Sequence, residues 1–273
     1  MNSLNIPFHQ PRSKELSALI EGFYLIKKDL SGDAIKYFTF PNNYCILTVS
    51  RNCKKRISKE KIAIKYNSEE GINTNITYHY TSPIEIEFSH PVDQLTIYFK
   101  PLAINHFIQN FQAYFNGGFI KELCLFPDFD TEMQKIFDEE NDQEKVTLVE
   151  NYWLSKLEYQ DLDLERKILT DLESGISIRT ICEKYNYSRQ HINTLIYNVT
   201  GKSPSDYRKI HRFRQVIDSA KQTGNLTQLG YMNGFYDQSH FIRDFKSLTS
   251  AKPGHFLHQV DLTRKNIWRF LPG

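Results

Sequence analysis

Only four cysteines occur in the 273 residues, at positions 45, 53, 124 and 182. They have neither C-x-x-C spacing nor the density of a disulfide scaffold, which excludes a cysteine-built zinc module and predicts reduced, mostly buried thiols. No apolar run approaches the roughly 18 residues that span a bilayer. The opening Met-Asn-Ser-Leu-Asn-Ile-Pro has no basic segment followed by an apolar one, so the expected location is cytoplasmic, with no membrane partner. Glycine-rich phosphate loops and serine-centred nucleophile elbows are missing too. Histidine is sparse in the first half, with His9, His79, His90 and His106, no H-x-H pair, and His90 in a turn before Pro91. No metal site, catalytic residue or cofactor is expected from such a set.

Net charge is also small, +2 from 34 basic and 32 acidic residues. Its distribution is uneven. Residues 161–273 hold 17 Lys and Arg against 11 Asp and Glu, whereas residues 1–160 hold 17 against 21. The modest positive excess of the second part suits phosphate attraction without the indiscriminate grip of a very basic tail. The acid pairs Glu69-Glu70 and Glu139-Glu140 are most simply solvated. With 40% hydrophobic and 14% aromatic content there is enough apolar material for two cores, and the length fits two domains.

What is present is a pattern written twice. Ser188-Arg-Gln-His-Ile-Asn-Thr-Leu-Ile-Tyr-Asn-Val-Thr200 superposes on Asp237-Gln-Ser-His-Phe-Ile-Arg-Asp-Phe-Lys-Ser-Leu-Thr249 with a constant offset of 49 positions. Ser188 and Asp237 carry side-chain oxygens that accept the free N–H groups of a first helical turn, so each marks a helix start. Ile192, Leu195, Ile196 and Val199 recur at helical spacing, as do Phe241, Phe245 and Leu248, which puts one face in the core. The other faces carry Arg189, Gln190, Asn193, Thr194 and Tyr197 in the first helix, and Gln238, Ser239, Ile242, Arg243 and Lys246 in the second. Most of these suit base edges and phosphates.

The preceding helix is repeated as well. Ile178 and Ile181 answer to Leu226 and Leu229, and Cys182 to Gly230, small groups where two helices cross closely. Asn186 answers to Gly234, both tolerant of the left-handed conformation of a sharp turn. Tyr187 and Phe235 follow as apolar plugs. Between the two units, Tyr207, Ile210, Phe213, Ile217 and Ala220 form the apolar stripe of a connecting helix whose other sides carry Lys209, Arg212, Arg214 and Lys221.

Gly234-Phe-Tyr-Asp-Gln-Ser-His-Phe-Ile-Arg-Asp-Phe-Lys246, followed by Pro253, resembles the signature of the AraC/XylS family of bacterial transcription regulators. The first copy, closing on Thr200-Gly-Lys-Ser-Pro204 and Tyr207, is similar to the less sharply defined half of that domain. The resemblance runs from Gly175 to Phe256. It implies a seven-helix domain whose two recognition helices enter successive major grooves of a DNA operator. Base-edge roles then fall to Gln190, Asn193 and Thr194, and to Gln238, Ser239 and Arg243. RNA polymerase is the implied partner, recruited by an activator or blocked by a repressor. Tyr236 departs from the family pattern, which often has a small residue there, and Gly230 stands where it often has alanine.

The first half reads as short strands: Gly22 to Ile26, Ile35 to Phe40, Tyr44 to Val49, Lys61 to Tyr66, Ile76 to Tyr80, Ile84 to Phe88 and Gln94 to Phe99. Their spacing favours a barrel or sandwich. Helices are expected at Leu102 to Phe111, Asp130 to Phe137 and Glu144 to Leu157. Tyr98-Phe-Lys-Pro-Leu-Ala-Ile-Asn-His-Phe107 resembles the strand-to-helix corner that closes the cupin-like sensor domain of some AraC/XylS regulators. That resemblance implies a barrel interior that holds a small-molecule effector or is filled by aromatic side chains, followed by helices that pair two chains into a homodimer. Tyr24, Tyr37, Tyr44, Tyr78 and Tyr98 are the candidates for an effector pocket, with plain core as the competing reading. Val146, Val149, Trp153 and Leu157 form a stripe suited either to dimer contact or to packing on the chain's own barrel.

The expected organisation is α+β in two domains. Residues 1–160 form a β-rich effector-binding or dimerisation domain, and Gln160 to Asp163 are the linker. Residues 161–273 form an all-α DNA-binding domain with helix-turn-helix units at about 177–199 and 226–248 and a linking helix at about 204–222. A rival reading is a cupin-like small-molecule-binding or metal-dependent enzyme with a DNA-binding appendage. The tail Leu257 to Gly273, with Trp268 and Phe270, has no assigned role.

Overall fold

All six residues of Gln94–Phe99 are buried, although polar and apolar side chains share the segment. A strand points successive side chains to opposite faces. Leu95, Ile97 and Phe99 join one apolar cluster, while Gln94, Thr96 and Tyr98 line a cavity on the other side. The strand therefore has cover on both faces, which fixes the layering of the first half.

The structure is a computed structural model that describes residues 6–115, 120–223, 225–235, 237–262 and 268–271. Chain order is β1 (Phe8–His9), α1 (Lys14–Leu19), β2 (Ile20–Ile26), β3 (Ile35–Thr39), β4 (Cys45–Arg51), β5 (Cys53–Ile57), β6 (Lys61–Tyr66), β7 (Ile72–Thr77), β8 (Ile84–Phe88) and β9 (Gln94–Phe99). Two 3-10 turns, Ala103–His106 and Phe111–Phe115, lead to β10 (Ile120–Glu122), α2 (Phe129–Asp138) and α3 (Asp142–Ser155). Then come α4 (Asp163–Glu173), α5 (Ile178–Tyr185), α6 (Arg189–Thr200), α7 (Pro204–Ala220), α8 (Leu226–Met232), α9 (Gln238–Thr249), α10 (Pro253–Gln259) and β11 (Trp268–Phe270).

The strands make two sheets, ordered β1-β2-β9-β4-β7-β10 and β11-β3-β8-β6-β5. One cluster, with Tyr24, Tyr37, Ile46, Ile64, Ile86, Phe88 and Tyr98, draws on both sheets and forms the core between them. The outer face of the first sheet packs under α1, α2 and α3 through Phe23, Leu47, Ile97, Phe99, Met133 and Trp153. The architecture is α+β, with helices over a two-sheet barrel followed by an all-helical part. Val146, Val149 and Trp153 are buried at 3%, 1% and 0% exposure in the chain's own core, with Leu157 packed alongside. The stripe is thus consumed by the barrel and is not a free dimer surface.

Several expectations are corrected. β5 is absent from the sequence reading because Cys53-Lys-Lys-Arg-Ile57 is mostly charged; it is an edge strand, where solvated lysines are common. β7 starts at Ile72 and ends at Thr77, earlier than expected. No helix covers Leu102 to Phe111: Leu102 after Pro101 takes φ 70° and opens a 3-10 turn instead. Tyr187 is no plug; it is 37% exposed and stacks on His191 with ring centroids 4.3 Å apart. Of the cysteines, Cys45 and Cys53 are buried and free, but Cys124 is exposed and Cys182 half-buried.

Candidate DNA interface and ligand cavity

Each helix-turn-helix unit is built by short-range rules. Ser188 Oγ accepts the His191 N–H at 3.1 Å, and Asp237 Oδ1 accepts the His240 N–H at 2.7 Å, so both second helices are capped at the start. The turns before them use Asn186 at φ 55° and Gly234 at φ 70°. Gly230 brings α8 onto α9, and a Cβ there would stand 3.6 Å from the Phe241 ring. Pro204 and Pro253 open α7 and α10 at the first turn, where a missing N–H costs nothing.

Inward, α6 buries Ile192 and Ile196, and α9 buries Phe241, Phe245 and Leu248. Outward, Arg189, Gln190, Asn193 and Thr194 on α6, and Gln238, Ser239, Arg243 and Lys246 on α9, are all exposed. Ile242 is half-buried against the second unit's core. Tyr197 differs from the rest of its face, since its hydroxyl donates to the Phe115 carbonyl at 3.3 Å and its ring meets Phe115 edge-on. Tyr236 lies outside the described residues.

That contact belongs to an extensive seat between the helical part and the barrel. Gly201, at φ 69°, lies so close to Tyr78 that a Cβ would sit 2.4 Å from the ring. Asn105 Nδ2 donates to the Val199 carbonyl at 3.0 Å, and Asn43 Nδ2 to the Tyr207 carbonyl at 3.0 Å. Arg214 donates to the carbonyls of Pro41 and Phe40 at 2.8 and 2.7 Å. Phe40 itself, 0% exposed, is a member of the second unit's core, with its ring edge-on to Phe256 at 4.7 Å. None of these partnerships was visible in the sequence, because each joins residues far apart in the chain.

Lys202 is the chemically unusual member of this seat. It is 1% exposed and donates to the Tyr78 carbonyl. Burial lowers its ammonium from the ordinary 10.5 to about 8, while burial raises the neighbouring Cys45 thiol from 9.0 to about 12. The signs oppose. Between pH 8 and 10.5 the unfolded chain holds more protons at Lys202, so that group's contribution to stability rises with pH. Above pH 9 the folded chain holds more at Cys45, whose contribution falls. Lys202→Met should therefore remove a rising limb that begins near pH 8, worth on the order of 3 kcal/mol across the window. Urea unfolding of both proteins from pH 7 to 10 would check it; parallel curves would contradict the buried charge.

The barrel holds a partly open cavity of about 80 Å³. Tyr24, Tyr37, Tyr80 and Tyr98 line it, with Thr39, Thr48, Lys55, Asn75, Gln94, Thr96 and Trp268 among the other walls. Burial raises Tyr37 and Tyr98 well above the ordinary phenol value, so they stay protonated donors. Two of the five candidate tyrosines lie elsewhere. Tyr44 stands just before β4 and lines a crevice with Tyr207, His211 and Arg214. Tyr78 stands just past β7 and packs on Phe115. Both fall beyond the strand ends, where the inward alternation no longer points at the cavity. Trp268 is a lining residue that sequence reasoning left unassigned, as are Lys55 and Asn75; its signal was the apolar-polar-apolar run Trp268-Arg-Phe270. Among the described residues no group of three His, Cys, Asp or Glu side chains comes together to hold a metal, and no helix is long and apolar enough to cross a membrane.

A family model described as a helix-turn-helix domain matches residues 181–259. The chain is similar to a probable transcription factor, PqrA, of Proteus vulgaris, with 26% identity over 110 residues, covering 40% of this chain and 85% of the relative. Among solved structures it is similar to ToxT of Vibrio cholerae, with a TM-score of 0.45 and 14% identity over 86% of this chain and 98% of that one. A ToxT structure with bound unsaturated fatty acid gives a TM-score of 0.44 and 15% identity, over 86% of this chain and 93% of that one. The two capped units and the matched domain define a tandem helix-turn-helix protein. The chain is a DNA-binding transcription regulator whose helix-turn-helix domain is similar to that of the AraC/XylS family.

Proposed function

We propose that α6 and α9 read successive major grooves on one side of an operator, and that the barrel adjusts this reading in response to a small ligand. The supporting observation is the pair of equivalent helices, capped at Ser188 and Asp237, that expose polar faces from the two ends of α7. Gln190, Asn193, Thr194, Gln238, Ser239 and Arg243 are assigned to base edges, and Arg189 and Lys246 to phosphates. Tyr197 is reassigned from DNA to the barrel seat, on its bond to Phe115. Residues 1–160 act as the sensor and 161–273 as the reader. Such a protein works in the cytoplasm by recruiting or blocking RNA polymerase.

Selection of random duplexes by the whole protein at near-physiological salt tests the reading, because nonspecific binding is salt-sensitive. Two sequence elements about 10 base pairs apart are expected, one helical turn of about 34 Å. A single element, or none, both from the whole protein and from a variant lacking residues 268–273, would overturn the two-reader arrangement. On the selected duplex, Arg243→Ala should cost roughly 1–3 kcal/mol of specific binding and relax preference at one position. Unchanged preference would remove Arg243 from the readers.

The ligand part rests on the cavity. Asn75 is 4% exposed, its Oδ1 accepts from Lys55, and its Nδ2 has no hydrogen-bond partner among the described residues. A buried donor without an acceptor is costly in a finished core. Together with four tyrosines, it favours a compact ligand with a flat apolar body and an acceptor group. No turnover enters this reading.

A further inference from the structure

The chain leaves the second helix-turn-helix unit, ends α10 at Gln259, and returns to the barrel as β11. There it pairs antiparallel with β3, Trp268 opposite Thr39, Arg269 opposite Phe38 and Phe270 opposite Tyr37. The backbone ladder extends to Leu271, whose N–H donates to the Lys36 carbonyl at 2.8 Å. Alternation sends Trp268 and Phe270 inward and Arg269 outward. Trp268 is 8% exposed, edge-on to Tyr24 at 5.2 Å and tilted against Tyr37 at 5.1 Å. Arg269 lies over the outer Phe38 ring at 4.8 Å and donates to Gln259 of α10 at 2.9 Å. One short strand thus touches the cavity with one face and the reader's last helix with the other.

The cavity that remains, about 80 Å³, is far below the roughly 300 Å³ at which ligand pockets begin. Trp268 supplies one of its walls and fills space that a ligand body would need. β11 is also an edge strand of three residues, held by one neighbour, and such a strand can leave without unfolding the sheet.

We propose that β11 is a displaceable occupant of the sensor barrel: a small molecule with a flat apolar body about the size of an indole takes the place of Trp268, and the freed tail releases the second reader unit. This rests on the reading of the barrel cavity as the effector site. Docked, the tail adds a second tether beside Phe40, so the barrel constrains where α9 lies. The first unit is tethered separately, through Tyr197, Gly201 and Lys202. The relative placement of the two readers is then set by the barrel as well as by α7. Ligand entry removes one tether, and α9 becomes free to align with the groove one turn away from α6.

The test compares one protein in two redox states. Phe38→Cys with Arg269→Cys places thiols on paired residues whose Cα atoms stand about 5.5 Å apart in such a ladder, within disulfide reach; Cys124→Ser removes the exposed native thiol. Oxidation locks the tail and dithiothreitol makes it displaceable again, so any cost of the substitutions is common to both states. With indole-3-carboxamide present, a flat body that carries an acceptor, the oxidised protein is expected to bind the selected duplex about tenfold more weakly than the reduced one. Affinities within twofold of each other would overturn the coupling. Separately, Trp268→Ala is titrated with indole-3-carboxamide by calorimetry. Saturable binding to the variant, at least tenfold tighter than to the unsubstituted protein, is expected. No binding to the variant would overturn the displacement and the effector-site reading together, whereas binding without a redox effect on DNA would leave the effector site standing and sink the latch alone.

Discussion

Replacing Phe241 with aspartate is expected to unfold the second reader unit and abolish specific DNA binding. Phe241 is 1% exposed and packs with Phe235 and Phe245 at ring distances of 5.1 and 5.8 Å. Truncating such a ring costs about 3–5 kcal/mol in lost contacts and cavity. An unpaired carboxylate put in its place must be either desolvated or protonated at a further cost of several kcal/mol. The sum approaches the whole stability of a typical domain, about 5–15 kcal/mol. Circular dichroism should show a loss of helix, while Arg243→Ala, two positions along on the exposed face, keeps full helix content. Ile192→Asp in α6, at 0% exposure, should do the same to the first unit. Native helix content in either aspartate variant would contradict the core assignment.

A second large effect is expected at Phe40, a residue of the barrel half. Its side chain is 0% exposed and sits among Phe213, Phe245 and Phe256 of the reader. Phe40→Ala should therefore destabilise by about 3–5 kcal/mol, with the loss appearing in the helical part and not in the two-sheet core. Urea unfolding followed by helix ellipticity and by tryptophan fluorescence separates the two, because Trp153, on α3, and Trp268, on β11, both lie in the barrel's cores. The helix signal should shift first. A loss below about 1 kcal/mol, or coincident shifts of equal size, would mean that the two halves do not share this core in the way described. Phe40→Leu, which keeps most of the volume, should recover much of the stability.

Together these variants distinguish two uses of the same aromatic chemistry. Phe241 holds one reader together. Phe40 holds that unit against the barrel, assisted by Arg214, which is half-buried and bonded to the carbonyls of Phe40 and Pro41. Burial lowers Arg214 from its ordinary value, while the nearby Tyr80 and Tyr44 favour its charge. A guanidinium retains its proton in that setting, so this contact does not switch with pH over the ordinary range.

The sequence by itself determined the local features of this protein. The doubled helix starts, the left-handed turn residues, the paired core spacings and the prolines that open α7 and α10 all depend on neighbours within a few positions. They could be read directly as two reader units, along with the exposed faces of α6 and α9. Most strands followed from alternation, and β9 with its inward Tyr98 was legible for the same reason. Only tertiary structure decided which side chains from distant strands meet. It put Tyr24, Tyr37 and Tyr98 in one cavity while sending Tyr44 and Tyr78 past the strand ends, and it turned the Val146 to Leu157 stripe inward. It also brought Phe40 into the reader's core, buried Lys202 under Tyr78, and carried Trp268 back across more than two hundred residues to Thr39. Such contacts are set by the closing of the sheets and the docking of two halves, where the entropy of joining remote segments is offset by shared burial and not by any local preference.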